Sequence, residues 1–94
     1  MRHANKVDGN HAAIVAALRA HGCKVADLSG VGKGVPDILV WIPAWSRWVM
    51  VEIKIPGEKL NERQVKWHKE FQGSLVYVVT SVEEAIAAVQ HFEG

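Results

Sequence analysis

Two stretches decide the fold: Gly34-Val35-Pro36-Asp37-Ile38-Leu39-Val40-Trp41-Ile42 and Trp48-Val49-Met50-Val51-Glu52-Ile53-Lys54, joined by Pro43-Ala44-Trp45-Ser46-Arg47. Both are apolar runs of strand length, rich in β-branched and aromatic residues. The connection is short enough for a hairpin, so the two strands pair antiparallel. Pro36 fits only the start of its strand, because it cannot donate to the ladder. Side chains alternate along a strand, so Glu52 and Lys54 point one way and Ile53 the other. If Asp37 stands opposite Glu52, Leu39 faces Met50 and Trp41 faces Trp48. All six then share one sheet face, with both acids at one end. A slip of one residue would send Asp37 to the other face. Both faces are largely apolar, so the pattern alone does not fix the register; the chemistry of the acids requires the first one.

Working outward, the first eight residues are polar and read as a flexible arm. Asp8-Gly9-Asn10 offers cap chemistry to a helix bearing Ile14, Val15, Leu18 and His21, which Gly22 ends. Cys23-Lys24-Val25-Ala26-Asp27-Leu28 alternates like a half-exposed strand. The loop Ser29-Gly30-Val31-Gly32-Lys33-Gly34 has glycines that let backbone approach a ligand. Downstream of the hairpin, Pro56-Gly57 breaks the chain. Asn61 can cap a second helix, with Gln64 at the capping-box position. Val65, Trp67, His68 and Phe71 continue that helix, the last three expected to pack on the sheet, and Gly73 stops it. Leu75 to Val79 reads as a buried strand. Ser81 with Glu84 forms a capping box for a last helix carrying Ala85, Ile86, Val89 and Phe92. The order is α-β-β-β-α-β-α. It predicts one α/β domain over residues 1–94, a mixed sheet flanked by helices.

Composition narrows the function. The chain has 94 residues, 49% of them hydrophobic, and a net charge of +1. A chain this small buries only about 60% of its unfolded surface, so a partner chain would help it. Cys23 is the single cysteine. It can form no internal disulfide, which suits a reducing compartment. No apolar stretch reaches the roughly 18 residues of a membrane span, so a cytoplasmic protein without membrane contact is expected. Positive charge for nucleic acid must be local. The candidates are Lys33, Lys59, Arg63, Lys66 and Lys69, although Glu58, Glu62 and Glu70 interleave with them. Trp41, Trp48 and Trp67 read as core. Trp45, at the hairpin tip, reads as a base-stacking residue or a dimer anchor. The histidines lack metal-ligand spacing; His3 and His91 are expected in solvent, and Cys23 in packing.

Asp37 and Glu52 at one end of a strand pair form a candidate metal site. Two acids in one place repel each other, and a divalent cation relieves the repulsion. Mg²⁺ and Mn²⁺ favour oxygen ligands, and the Ile53 carbonyl is a third candidate donor. Such a metal lowers the pKa of a bound water and polarises a phosphate. Lys54 can hold or activate that water, or stabilise charge on the phosphate. Alone, a Glu and a Lys two residues apart usually make a surface ion pair worth under about 1 kcal/mol. Gly34-Val35-Pro36-Asp37 on the neighbouring strand is what lifts the pair above that.

Gly34-Val35-Pro36-Asp37-Ile38-Leu39-Val40, Val51-Glu52-Ile53-Lys54, Gln64 and Trp67-His68 together resemble the VRR-Nuc domain, the virus-type replication–repair nucleases of the PD-(D/E)XK superfamily. The resemblance runs from about Asn5 to Phe92. The segment Val78-Val79-Thr80-Ser81-Val82-Glu83-Glu84-Ala85 is similar to stand-alone phage members. The resemblance implies a restriction-endonuclease-like fold and a DNA endonuclease that needs Mg²⁺ or Mn²⁺. Asp37 and Glu52 would be metal ligands, Lys54 catalytic, and Gln64 the family's glutamine on the following helix. That role competes with the Asn61 capping box. Lys33, Gly34 and Arg63 would contact DNA. Stand-alone members resemble paired junction-cutting enzymes, which implies a homodimer acting on branched or Holliday-junction DNA in a bacterial or phage-infected cell. One departure stands out. Many relatives carry a glutamate on the first helix where this chain has Ala13, and the nearest acid is Asp8. Asn10 or His11 would then act as an auxiliary, with His11 expected in solvent. The alternative reading is a catalytically impaired nucleic-acid-binding module of the same fold.

Overall fold

The hairpin is the centre of a four-stranded mixed sheet. The structure, a computed structural model, describes residues 9–90; the expected arm over 1–8, with His3 and Asp8, and also His91 and Phe92, lie outside them. The elements are α1 (His11–Ala20), β1 (Lys24–Asp27), β2 (Ile38–Ile42), β3 (Arg47–Ile53), α2 (Glu62–Glu70), β4 (Val76–Val79) and α3 (Val82–Gln90). The sheet order is β1-β2-β3-β4. The first two pairings are antiparallel, and β4 joins β3 in parallel after the α2 crossover.

The register is the one the acids require. Leu39 pairs with Met50 and Trp41 with Trp48, so one more step sets Asp37 opposite Glu52. Ile38, Val40, Ile42, Val49, Val51, Ile53 and Val79 point to the other face. There they form the core with Ile14 and Leu18 of α1 and Ala85 and Val89 of α3. Each fully buried aliphatic side chain contributes about 1.5–3 kcal/mol of transfer free energy, so the order of these strands is fixed mainly from this side.

The opposite face departs from expectation. None of the α2 residues is buried; Val65 and Phe71 are exposed, as are Val78 of β4 and Trp48, the last at 56%. Trp67 and Phe71 stack on each other, ring centroids 4.4 Å apart, rather than forming a second buried layer. Strand β4 is therefore buried on one face only. The tryptophan assignments also exchange. Trp45 packs against the core cluster, while Trp48, expected in the core, pairs with Trp41 at 5.2 Å on the open face. Alternation in β3 puts Trp48 on the face opposite α1 and α3, at the hairpin end away from Glu52 and Gln64.

The loop before β2 is tightly wound. Asp27 accepts hydrogen bonds from the Ser29 amide (2.7 Å) and hydroxyl (2.6 Å). Lys33 has a left-handed φ of 59°, between Gly32 at 70° and Gly34 at 84°. A Cβ on Gly34 would overlap the carbonyl of Arg63. Only a glycine lets this loop lie backbone to backbone against the start of α2.

Candidate active site

Asp37, Glu52 and Lys54 gather where β2 begins and β3 ends. Glu52 is 1% exposed and Lys54 8%, both unusual for charged residues unless paired. The Lys54 ammonium lies 4.0 Å from Glu52 Oε2. Gln64 Nε2 donates to the same oxygen at 2.8 Å. Asp37 Oδ2 accepts from the Ile53 amide at 2.7 Å, which ties the first acid to the strand that carries the second. Its Oδ1 accepts no hydrogen bond among the described residues.

The two roles foreseen for Gln64 do not compete. Its Oε1 accepts from the Asn61 amide (2.8 Å), and its backbone amide donates to Asn61 Oδ1 (2.9 Å), completing the capping box. That leaves Nε2 for Glu52. The two ends of one side-chain amide start the helix and fix the buried carboxylate. The roles can be separated by mutation. Asn61→Ala is expected to cost about 0.5–2 kcal/mol of stability through the lost cap and to keep the Gln64–Glu52 bond wherever α2 stays wound. Gln64→Ala loses the reciprocal cap bond as well as the Glu52 donor and, on the nuclease activity that the resemblance implies, should lower cleavage at least tenfold further. Comparing cleavage rates at matched folded fractions checks this; equal rates would assign Gln64 to capping alone.

Asn10 does not cap α1 with its side chain, and His11 does not sit in solvent. Asn10 precedes α1 but makes no side-chain cap. Its Nδ2 donates instead to the carbonyls of Lys54 (3.1 Å) and Thr80 (2.9 Å). It thereby clamps the ends of β3 and β4 just past the acidic end of the sheet. Sequence reading placed Asn10 as a cap or auxiliary, and only the tertiary arrangement shows where the amide goes. His11, expected in solvent, is buried at 7%, because it opens the i, i+3, i+7 stripe with Ile14 and Leu18. Its Nε2 lies 3.7 Å from Asp27 Oδ2. The Ser29 hydroxyl, then the Ser29 amide, hold the Asp27 carboxyl below the usual range, with smaller contributions from His11 and Arg19. The stability this gives is present above the ordinary carboxylate pKa and is lost as pH falls through the lowered one. Ala13 is exposed, so no acid stands at that position. Burial raises the pKa of the Cys23 thiol, which fits packing and not nucleophilic chemistry.

The donor set suits a hard cation. Among the described residues no cluster of three His, Cys, Asp or Glu side chains could hold a metal, which argues against a zinc-type site. Two carboxylates with a backbone carbonyl and water match Mg²⁺, which usually takes one or two carboxylates and keeps several waters. Asp37, Glu52 and the Ile53 carbonyl are the residues that would hold it. No helix of the described residues is long and apolar enough to cross a membrane.

Comparison with known proteins agrees with the fold. A solved structure of a VRR-NUC domain superposes with a TM-score of 0.71 at 29% identity, over 88% of this chain and 92% of that one. Over 41 residues the chain is 42% identical to the Fanconi-associated nuclease 1 homolog of Pseudomonas aeruginosa. That stretch is 44% of this chain and 7% of the larger protein, so the chain spans a small fraction of this relative. The VRR-NUC domain family model matches residues 4–89, and the chain belongs to that family.

Proposed function

We propose that this chain is a DNA endonuclease that uses Mg²⁺ or Mn²⁺ to hydrolyse phosphodiester bonds, with branched or Holliday-junction DNA as its preferred substrate. The observation that carries the reading is the buried Glu52–Lys54 pair, with Gln64 hydrogen-bonded to Glu52, beside Asp37 at one end of the sheet. A bound divalent cation would supply Lewis acidity toward the phosphate and a more acidic water. Asp37 and Glu52 hold the site's negative charge. Gln64 Nε2 orients the Glu52 carboxylate, and the Asn10 clamp fixes the end of β3 that carries it. Lys54 positions the attacking water by hydrogen bonding, or stabilises charge building on the phosphate oxygens. Water adds to phosphorus, one P–O ester bond breaks, and the departing alkoxide takes up a proton.

The test is a labelled four-way junction and a matched linear duplex, incubated with Mg²⁺ or Mn²⁺. Wild type is expected to cut the junction faster than the duplex. Asp37→Asn is expected to lose at least about 10²-fold in rate, the scale of removing one preorganised electrostatic group. Tight junction binding with no cutting under either metal would overturn the nuclease and favour the impaired binding module, for which the exposed Ala13 is the motive.

The reading includes a homodimer, which would bring two sites to one branched substrate. The open sheet face, with Trp48 and Val78 exposed beside half-buried Trp41 and Met50, offers an apolar contact surface. Trp48→Glu is expected to shift sedimentation equilibrium toward monomer at least tenfold in dissociation constant. An unchanged constant would move the interface elsewhere.

A further inference from the structure

Between the loop ahead of β2 and α2 lies a cavity of about 360 Å³ lined by Lys33, Arg63, Lys66, Trp67 and Glu70. Its volume is within the roughly 300–1,000 Å³ of small-ligand pockets. Four of the five residues come from α2 at spacings i, i+3, i+4 and i+7, a single helix face. That face is about 100° round the helix from Gln64, so the cavity adjoins the acidic site without being part of it. Lys33 forms the opposite wall from its left-handed backbone position, a strained conformation that persists only where the surroundings impose it. Gly34 fixes the spacing of the two walls through its contact with Arg63.

Lys33, Arg63 and Lys66 make no ion pair among the described residues, although ordinary surface cations on a helix this rich in glutamate have partners within reach. Three cations against the single carboxylate of Glu70 leave the cavity with a net positive charge that suits a phosphate. Trp67 and Glu70 call for something more. The indole is steadied by stacking on Phe71 and by the edge of His68, 5.7 Å away. An aromatic wall with a carboxylate beside it serves no purpose for a phosphate alone. It suits a nucleobase, whose face stacks on the ring and whose exocyclic amine donates to the acid. Within a duplex, both faces of a base are covered by its neighbours, so a base reaches this wall only when it is unpaired or extruded.

We propose that the Lys33–Arg63–Lys66–Trp67–Glu70 cavity is a subsite for one unpaired nucleotide next to the bond to be cut, its phosphate on the cations and its base stacked on Trp67. This rests on the nuclease reading and deepens it. The subsite reads the loss of base pairing at a branch, and selectivity for DNA structure is built into a single protomer.

The experiment uses 2-aminopurine as the base, in EDTA so that nothing is cut. One duplex carries it as a single-nucleotide bulge; a second carries it paired with thymine. Wild type is expected to quench the bulged probe and to bind that duplex about tenfold or more tighter than the paired one, the scale of one base–aromatic stack. Trp67→Leu is expected to abolish the quench and the preference, and Trp67→Phe, which keeps a ring, to retain most of both. Lys33→Gln with Arg63→Gln should weaken binding and flatten its salt dependence by roughly 0.7–0.9 per lost phosphate contact. Equal quenching by wild type and Trp67→Leu, no preference for the bulge, or a Trp67→Phe protein as deficient as Trp67→Leu would each overturn the subsite. Quenching in EDTA without cleavage in Mg²⁺ or Mn²⁺ would count against the nuclease alone; cleavage without quenching would count against the subsite alone.

Discussion

Gly34→Ala is expected to destabilise the protein by about 2–5 kcal/mol, combining the left-handed backbone cost with overpacking against a neighbour. The φ of 84° is unfavourable for any residue with a Cβ, and that Cβ would overlap the Arg63 carbonyl. Backbone cannot rotate aside as a side chain can, so the loop and α2 must separate. Gln64, next to Arg63, would then withdraw from Glu52, and cleavage should fall with stability. Gly32→Ala is the control. Its φ is also left-handed, at 70°, but a Cβ there meets nothing within 4 Å, so only the backbone cost of about 1–2 kcal/mol applies. Urea unfolding of both variants separates the effects. Equal losses would mean that the loop–helix contact adds nothing.

Lys54→Met is expected to abolish cleavage and to cost about 3–5 kcal/mol, as when one partner of a buried ion pair is removed. Methionine keeps much of the apolar stem, so packing changes little. What goes is the cation that faces a carboxylate with 1% exposure. The double variant Glu52→Gln with Lys54→Met removes both charges and should recover most of the stability with none of the activity. Denaturant midpoints at neutral pH read the first effect and the junction assay the second. A Lys54→Met protein as stable as wild type would show that the ammonium is not what offsets the burial of Glu52.

Much of this was legible in the residues. The hairpin and the order of elements follow from two apolar runs and a short connection; the register, which two largely apolar faces leave open, follows only once Asp37 is required to stand opposite Glu52. Those features are set by local chain geometry and by the need to bury Ile38, Val40, Val49 and Val51 together. What was not legible depends on which face finds a covering layer. Phe71 and Val65 carry a helical apolar pattern that normally signals burial, and Leu75 to Val79 reads as an interior strand. The pattern does not say whether the covering layer belongs to the same chain. Trp45 and Trp48 exchanged roles for that reason. His11 was misjudged because a polar residue in a first turn is usually wet; here it begins the core stripe of α1. Asn10 is a capping residue by type, and nothing nearby in sequence shows that its amide spans to Lys54 and Thr80. The cavity beside α2 was half visible, as scattered cations with Trp67 assigned to the core.

Gln64 joins two events that most enzymes keep apart. The oxygen of its side chain helps wind the first turn of α2, and the nitrogen of the same group holds Glu52 in place. A helix of nine residues with none buried has little besides its cap to hold it wound, since short helices are marginal in water. Unwinding of that first turn would therefore release Glu52 in the same step. In the proposed nuclease the observed rate would then be the intrinsic rate multiplied by the wound fraction. A nucleotide resting on the wound helix, as proposed above, would raise that fraction, and part of its binding energy would go to assembling the catalyst.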